Sequence, residues 1–366
     1  MKMKSKSRFI SAFAIAASLA LAACGGTDAA EEEVVETTAA EVEVAEVTAK
    51  PELTIGYLQI LSQSEAAMRL QNDTKAAADV FGWGFEACDA QGTVEGMQTC
   101  GDKFVNQGVD VIITNGTPSV VILAQLEAAK AKGIPFINTG GTQATPEDYT
   151  ASYNPNDGLM GKVLGEWIAA NATPGEVLVH SVKDKWGADR EASFMEVIKG
   201  TKFTVVDSVD TPFDNTLVGF TQTAAAGQFT KFPKATVLWL TFDLAALGAG
   251  PAIAASYPGK TPPDRPLVAT FYCNSTTQAE MRKGTVDVCI ENALEVGGWI
   301  AIDQIASHFA KGTAFSTERQ PTYDGVQFDM PIIVTKANLP AEGTYPAPVS
   351  DFRAYFTNKW KTEYGL

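Results

Sequence analysis

Short apolar runs rich in β-branched residues recur at 53–58, 85–88, 109–114, 134–139, 176–182, 203–206, 236–241, 268–272 and 286–291. Between them lie stretches with apolar positions at helical spacing, among them 65–81, 120–132, 159–171, 191–199, 244–257 and 295–311. Gly133 and Gly312 follow two of these stretches, as a left-handed cap requires. Turn-bounded strand runs joined by amphipathic helices predict right-handed βαβ units and parallel sheets covered on both faces. The series forms two similar halves with a change near 150–157, so the pattern predicts an α/β fold of two doubly wound lobes.

In open parallel sheets a ligand binds beyond the carboxyl ends of the strands, where loops and helix N-termini converge and leave backbone donors unpaired. That rule selects the loops 59–65, 115–119, 138–143, 183–190, 241–243 and 271–276. Gln63, Ser64 and Thr117 fall in the first two of them, and Gly140 and Gly141 in the third. Trp186, Phe242 and Tyr272 offer flat apolar area there, and Arg190 offers a fixed cationic fork. For each aromatic the plainer reading is a core position; for Arg190 it is a surface pairing with Asp189 or Glu191.

The N-terminus carries Lys2, Lys4, Lys6 and Arg8 ahead of a mostly apolar run from Phe9 to Ala23. Fifteen helical residues span only about 22 Å, short of a bilayer core of about 30 Å, so the run reads as an export signal rather than a permanent span. Leu21-Ala22-Ala23-Cys24 resembles the bacterial lipobox, which implies lipidation of Cys24 and removal of residues 1–23. Residues 24–52 combine Ala, Glu, Thr and Val with a single Lys and no aromatic, and read as a solvated acidic tether.

Composition narrows the function. The 366-residue chain has 45% hydrophobic residues, enough for two packed domains, and a net charge of −15 that repels phosphate backbones and argues against nucleic-acid binding. With only His180 and His308 present, most zinc sites and His-dependent triads lack parts. No G-x-S-x-G, G-x-x-x-x-G-K-[ST] or H-E-x-x-H pattern occurs, so an enzyme is not expected, nor are a metal or a cofactor. Besides Cys24 the cysteines form two sequence-local pairs, Cys88 with Cys100 and Cys273 with Cys289. In an exported chain these are candidate disulfides, with buried free thiols as the alternative.

Particular segments carry a family resemblance. They are Thr54-Ile55-Gly56-Tyr57, Asp89-Ala90-Gln91-Gly92, the run 107–113, Ala131-Lys132-Gly133-Ile134-Pro135, the run 188–194 and the run 242–248. From Leu53 to about Thr335 the chain resembles the type I periplasmic sugar-binding proteins, the ribose-binding-protein-like group. The resemblance implies two doubly wound parallel-sheet lobes joined by a three-strand hinge that close over a small molecule. It places the N-terminal lobe at 53–155 plus 293–323, the C-terminal lobe at 156–292 plus 324–336, and a C-terminal extension at 337–366. In that extension Ser350 is the expected cap of a helix with Phe352, Tyr355, Phe356 and Trp360 on one stripe, packed on a lobe.

Carried over by position, Arg190 matches an Arg that bonds ligand hydroxyls, and Asn292 matches a polar amide at a crossover. Ser64 falls where the first lobe usually offers an Asn, and Asp243 follows the position of a ligand Asn that is Phe242 in this chain. The stacking aromatic pair falls on Ala66 and Ala67, an Asp-Arg pair on Gly140 and Gly141, and a ligand carboxylate on Tyr272. Losing bidentate acceptors that buried sugar hydroxyls require implies a less polar or flatter ligand, with one acceptor or anionic group for Arg190. The implied function is solute capture by a monomeric, membrane-anchored lipoprotein that delivers its ligand to an ABC permease. The alternative is presentation of the closed form to a chemoreceptor or sensor kinase. The export signal and the lack of a helix-turn-helix before Leu53 exclude a regulator of the related lactose-repressor type. Cys24→Ser is expected to shift the protein from the membrane pellet to the soluble fraction on cell fractionation; retention in the pellet would place the anchor elsewhere.

Overall fold

A computed structural model describes residues 47–323, 330–348 and 350–366. The export signal, Cys24 and the acidic segment up to residue 46 lie outside the described residues, as does part of the expected passage near 324.

The first lobe is built on β1 (Thr54–Gln59), β2 (Gly84–Asp89), β3 (Val111–Thr114), β4 (Phe136–Asn138) and β5 (Ala151–Ser152), linked by α1 (Glu65–Phe81), α2 (Val94–Gln107) and α3 (Leu123–Ala131). The sheet is parallel throughout, in the order β2-β1-β3-β4-β5. Strand alternation divides its side chains between two apolar layers. Ile55, Tyr57, Val111, Ile113 and Ile137 enter one layer, with Phe81 of α1, while Leu58, Ile112 and Phe136 enter the other, with Phe104 of α2 and Leu126 of α3. Burial on both faces explains why these strands read as continuous apolar runs.

The chain then crosses at 153–156 into α4 (Asp157–Asn171), β6 (Glu176–Ser181), α5 (Lys185–Ile198), β7 (Thr204–Asp210), α6 (Leu217–Lys231), β8 (Ala235–Leu240), α7 (Asp243–Ser256), β9 (Leu267–Phe271), α8 (Ser275–Lys283) and β10 (Val288–Glu291). It returns through α9 (Val296–Lys311), which joins the first lobe's core through Trp299, Ile300 and Ile305. It crosses again to give β11 (Ile332–Thr335), antiparallel to β10. The second sheet runs β11-β10-β9-β8-β6-β7, so its strands repeat the first sheet's order with one antiparallel strand added at the edge.

Boundaries differ from the sequence pattern where polar residues interrupt a regular element. β7 runs to Asp210 rather than stopping at 206, because an edge strand with one open face tolerates Asp207, Ser208 and Asp210. α5 begins at Lys185 rather than 191, so Trp186 and Arg190 stand on a helix and not in a loop. The acidic segment does not remain a solvated tether to residue 52. Thr48 N donates to Glu363 O at 3.0 Å, Lys50 Nζ to Phe81 O at 2.8 Å, and Trp83 Nε1 to Pro51 O at 2.8 Å. Of the two cysteine readings, the structure has the disulfides, Cys88–Cys100 tying β2 to α2 and Cys273–Cys289 tying the loop after β9 to β10.

The C-terminal helix α10 (Phe352–Tyr364) packs on the first lobe. Asp351, not Ser350, caps it, accepting from Ala354 N at 3.1 Å. Phe352, Phe356, Trp360 and Tyr364 form the buried stripe, and Tyr355 sits at its margin. Trp360 stacks on Trp299 at 5.4 Å and 4°, and its Nε1 donates to Asp303 Oδ1 at 2.7 Å. Trp360→Ala is expected to destabilise the fold by about 3–5 kcal/mol in urea denaturation. A loss below about 1 kcal/mol would show that α10 is not part of the first lobe's core.

Candidate functional site

Both sheets end their strands toward a common cavity that encloses about 50 Å³. Ile60 follows β1, Asn115 and Gly116 follow β3, and Gly140 and Gly141 follow β4. From the second lobe Trp186 follows β6, Phe213 follows β7, Phe242 follows β8 and Tyr272 follows β9. Ala66, Ala67 and Leu70 of α1 and Leu294 of the crossing after β10 complete the wall. In each sheet the loops after the two strands on either side of the order reversal, β1 with β3 and β6 with β8, supply lining groups, which is where parallel sheets leave a crevice.

The aromatic side is a packed group. Trp186 meets Phe213 at 5.2 Å and Phe242 at 5.4 Å, while Phe242 meets Phe213 at 5.0 Å and Tyr272 at 6.1 Å, all tilted or edge-on. Two glycines make room opposite. A Cβ on Gly141 would lie 2.6 Å from Trp186 Cδ1, and one on Gly140 would lie 2.2 Å from Asn115 C. The positions carrying an Asp-Arg pair in the resembled family are therefore glycine here because an indole from the other lobe and a neighbouring loop occupy the space.

Among the described residues Arg190 is the one charged group in the lining, and it is 1% exposed. Its Nε and Nη2 donate to Asp157 Oδ1 at 2.9 and 2.7 Å, Nη1 to Thr241 O at 2.8 Å, and Nη2 to the Tyr272 hydroxyl at 2.8 Å. The surface pairing open to Arg190 in the sequence does not occur: Asp189 pairs with Lys185 and Glu191 with Lys183. Asp157 at the start of α4 takes the charge because a guanidinium this buried needs a partner equally withdrawn from water. Tyr272 holds a left-handed backbone at φ 57°, uncommon for a non-glycine residue, and this sits at the edge of the cavity. Burial pushes its hydroxyl well above the usual tyrosine range, so the proton stays on.

Of the residues singled out from the sequence, Gly140, Gly141, Trp186, Arg190, Phe242 and Tyr272 line the cavity. Gln63 is exposed outside it. Ser64 is turned into its own helix, its Oγ capping α1 by accepting from Ala67 N at 3.1 Å. Thr117 shares a hydrogen bond with Thr114 at 2.7 Å, and Asn292 is buried in the crossing after β10, close along the chain to the lining residue Leu294. Asp243 is buried outside the lining, accepting from Asn274 Nδ2 at 2.6 Å. Phe213 is illegible in the sequence because β7 runs four residues past its apolar pattern; Ile60 and Gly116, each just beyond a strand, are within reach of the strand-end rule.

A polar seam beside the cavity joins the lobes. Arg69 of α1 donates to Glu295 Oε1 at 2.7 Å, Glu291 Oε1 at 3.2 Å and Asn274 Oδ1 at 2.7 Å. Glu65 accepts from the backbone N of Ser275 at 2.9 Å and of Thr276 at 3.1 Å, the first turn of α8. Burial would raise the Glu65 carboxyl, but its hydrogen bonds from Ser275, Thr276 and Tyr345 outweigh that and hold it below the usual carboxylate range.

At the inner end of this seam burial pushes the Asp243 carboxyl up to about 7, against the hydrogen bond from Asn274. Unfolded aspartate titrates near 4, so between about pH 4 and 7 the folded chain holds a proton that the unfolded chain releases. The stabilisation from this group is therefore complete below about pH 4 and lost as the pH rises through about 7. His180, lowered by burial to about 4, acts in the opposite sense, but a substitution at 243 leaves it in place. Asp243→Asn is expected to melt near the wild-type temperature at pH 4 and above it at pH 8. An equal gap at both pH values would show that the carboxyl titrates normally.

No curated protein sequence matches the chain significantly. Solved structures do. A galactofuranose binding protein has a TM-score of 0.66 at 19% identity, covering 85% of this chain and 99% of its own. An ABC transporter solute binding protein from Mycobacterium smegmatis with bound glycerol has a TM-score of 0.68 at 20% identity, covering 82% and 100%. An ABC transporter solute binding protein from Bacillus halodurans with bound myo-inositol has a TM-score of 0.64 at 19% identity, covering 79% and 96%. At such identities these likenesses speak for the type I periplasmic-binding-protein fold. Residues 56–313 match the sequence profile described as periplasmic binding protein domain, and with two parallel-sheet lobes meeting at a cavity, the chain belongs to the periplasmic binding protein family.

Proposed function

We propose that the protein is an extracytoplasmic solute-binding lipoprotein, tethered through Cys24, that captures a small molecule between its lobes and delivers it to an ABC permease. The observation that carries this reading is a cavity walled by the strand ends of both sheets, so a ligand there contacts both lobes at once. Affinity and the closed population then become one linked quantity. The solute-binding proteins of similar fold that carry glycerol or myo-inositol, named as components of ABC transporters, support capture and delivery. The lipobox-like Leu21-Ala22-Ala23-Cys24 supports the anchor.

The lining supports binding rather than turnover. Arg190 is locked by Asp157, Thr241 and Tyr272, and Asp243 accepts from Asn274 and does not line the cavity. The proposed ligand-contacting residues are Gly140, Gly141, Trp186, Arg190, Phe242 and Tyr272, legible in the sequence, joined by Asn115 of the loop 115–119 and by Phe213, which only the fold brings to the wall. A thermal-shift screen of the mature protein against sugars, polyols, nucleosides and aromatic acids is expected to yield a compound that raises the melting temperature. Small-angle scattering is expected to show the molecule contracting as that compound binds. An unchanged envelope at saturation with a tight-binding compound would overturn capture by closure.

A further inference from the structure

We infer that the solute is a small neutral molecule with an apolar body and one hydrogen-bond-accepting oxygen, of the cyclic ketone or lactone kind, and neither a polyol nor an ion. The inference rests on reading the cavity as the solute site.

The polar side chains of the wall are few and mostly spent. Arg190 has five N–H groups, and Asp157, Thr241 and Tyr272 take four, which leaves one on Nη1. Both amide hydrogens of Asn115 are engaged, by Gln59 Oε1 and by Ala67 O at 3.2 Å, and its Oδ1 accepts from Ile60 N at 2.8 Å. Gly116 N donates to Asn138 Oδ1 at 3.0 Å, and Gly141 O accepts from Asn138 Nδ2 and Gln143 Nε2. The Tyr272 hydroxyl accepts from Arg190 and still has its own proton to give. Two donors on wall residues therefore remain unspent, the last Nη1 hydrogen and the Tyr272 O–H, and among the described residues no carboxylate stands in the wall to accept from a ligand. A ligand oxygen that only accepts is matched; each hydroxyl of a polyol has a proton to place as well, and an unplaced one is costly when buried.

Charge argues against an ionic solute of either sign. Asp157 neutralises Arg190 within its own lobe, so an anion would enter without a free counter-charge, in a chain of net charge −15. The guanidinium already lies over two of the wall's rings, 4.9 Å from the Trp186 centre and 5.0 Å from that of Tyr272, so a cation at the Phe213 or Phe242 faces would share the cavity with a like charge. What remains for the body of the ligand is the apolar surface of Ala66, Ala67, Leu70, Phe213, Phe242 and Leu294.

Four probes that share a six-membered carbocycle separate these terms: cyclohexanone, cyclohexanecarboxylate, cyclohexylammonium and myo-inositol. Calorimetric titration of the mature protein is expected to rank cyclohexanone at least about tenfold above the other three, with Tyr272→Phe and Arg190→Met each weakening it about tenfold. Tyr272→Phe keeps the ring and serves if Arg190→Met fails to fold. Tighter binding of myo-inositol or of either ion than of cyclohexanone overturns the assignment while leaving solute capture standing. Absence of cyclohexanone binding at millimolar concentration overturns it as well. Failure of solute capture itself would appear differently, as a scattering envelope unmoved by every compound that binds.

Discussion

A guanidinium buried at the meeting of two lobes organises the second lobe's face of the cavity. Arg190 cannot lose its proton and cannot remain unpaired away from water, so the start of α4, the end of β8 and the end of β9 must converge on it. The same convergence fixes Trp186, which precedes it by one helical turn, and holds Tyr272 in a left-handed backbone. A charge that the sequence suggests as a ligand anchor is thus first a structural requirement. One of its five donors is left after that requirement is met.

The polar and apolar contacts between the lobes are divided in space. Arg69, Glu291, Glu295 and Asn274 form a buried ionic cluster near the crossings, and Glu65 reaches the N-terminus of α8. Tyr345, from the segment between β11 and α10, donates to Glu65 at 2.8 Å and lies over Arg69, so the C-terminal extension also spans this seam. Directional, desolvation-sensitive contacts of this kind specify one arrangement of the lobes more than they add to its stability. The cavity beside them is left mainly to aromatic and aliphatic surface.

Local pattern determined much of this protein. Strand runs of continuous Val, Ile and Leu report burial on both faces, and helical spacing between them reports the crossover helices; both depend on residues within a few positions of each other. The two-lobe α/β class, the end of α1 at Phe81, and the placing of Trp186, Phe242, Tyr272 and the glycine pair beyond strand ends are legible for that reason.

Tertiary structure alone decided which polar groups are spent and which remain. Arg190 meets Asp157 across 33 positions and Tyr272 across 82, and Arg69 meets Glu295 across 226. No periodicity spans such separations. Position along the chain points Ser64 and Asp243 toward a ligand, whereas the fold turns Ser64 into a helix cap and Asp243 toward Asn274. The fold also brings Phe213 to the wall by extending an edge strand through polar residues. The physical reason is common to all of these: secondary structure follows from neighbours along the chain, whereas the satisfaction of a buried charge or donor depends on whatever packing brings within about 3 Å of it.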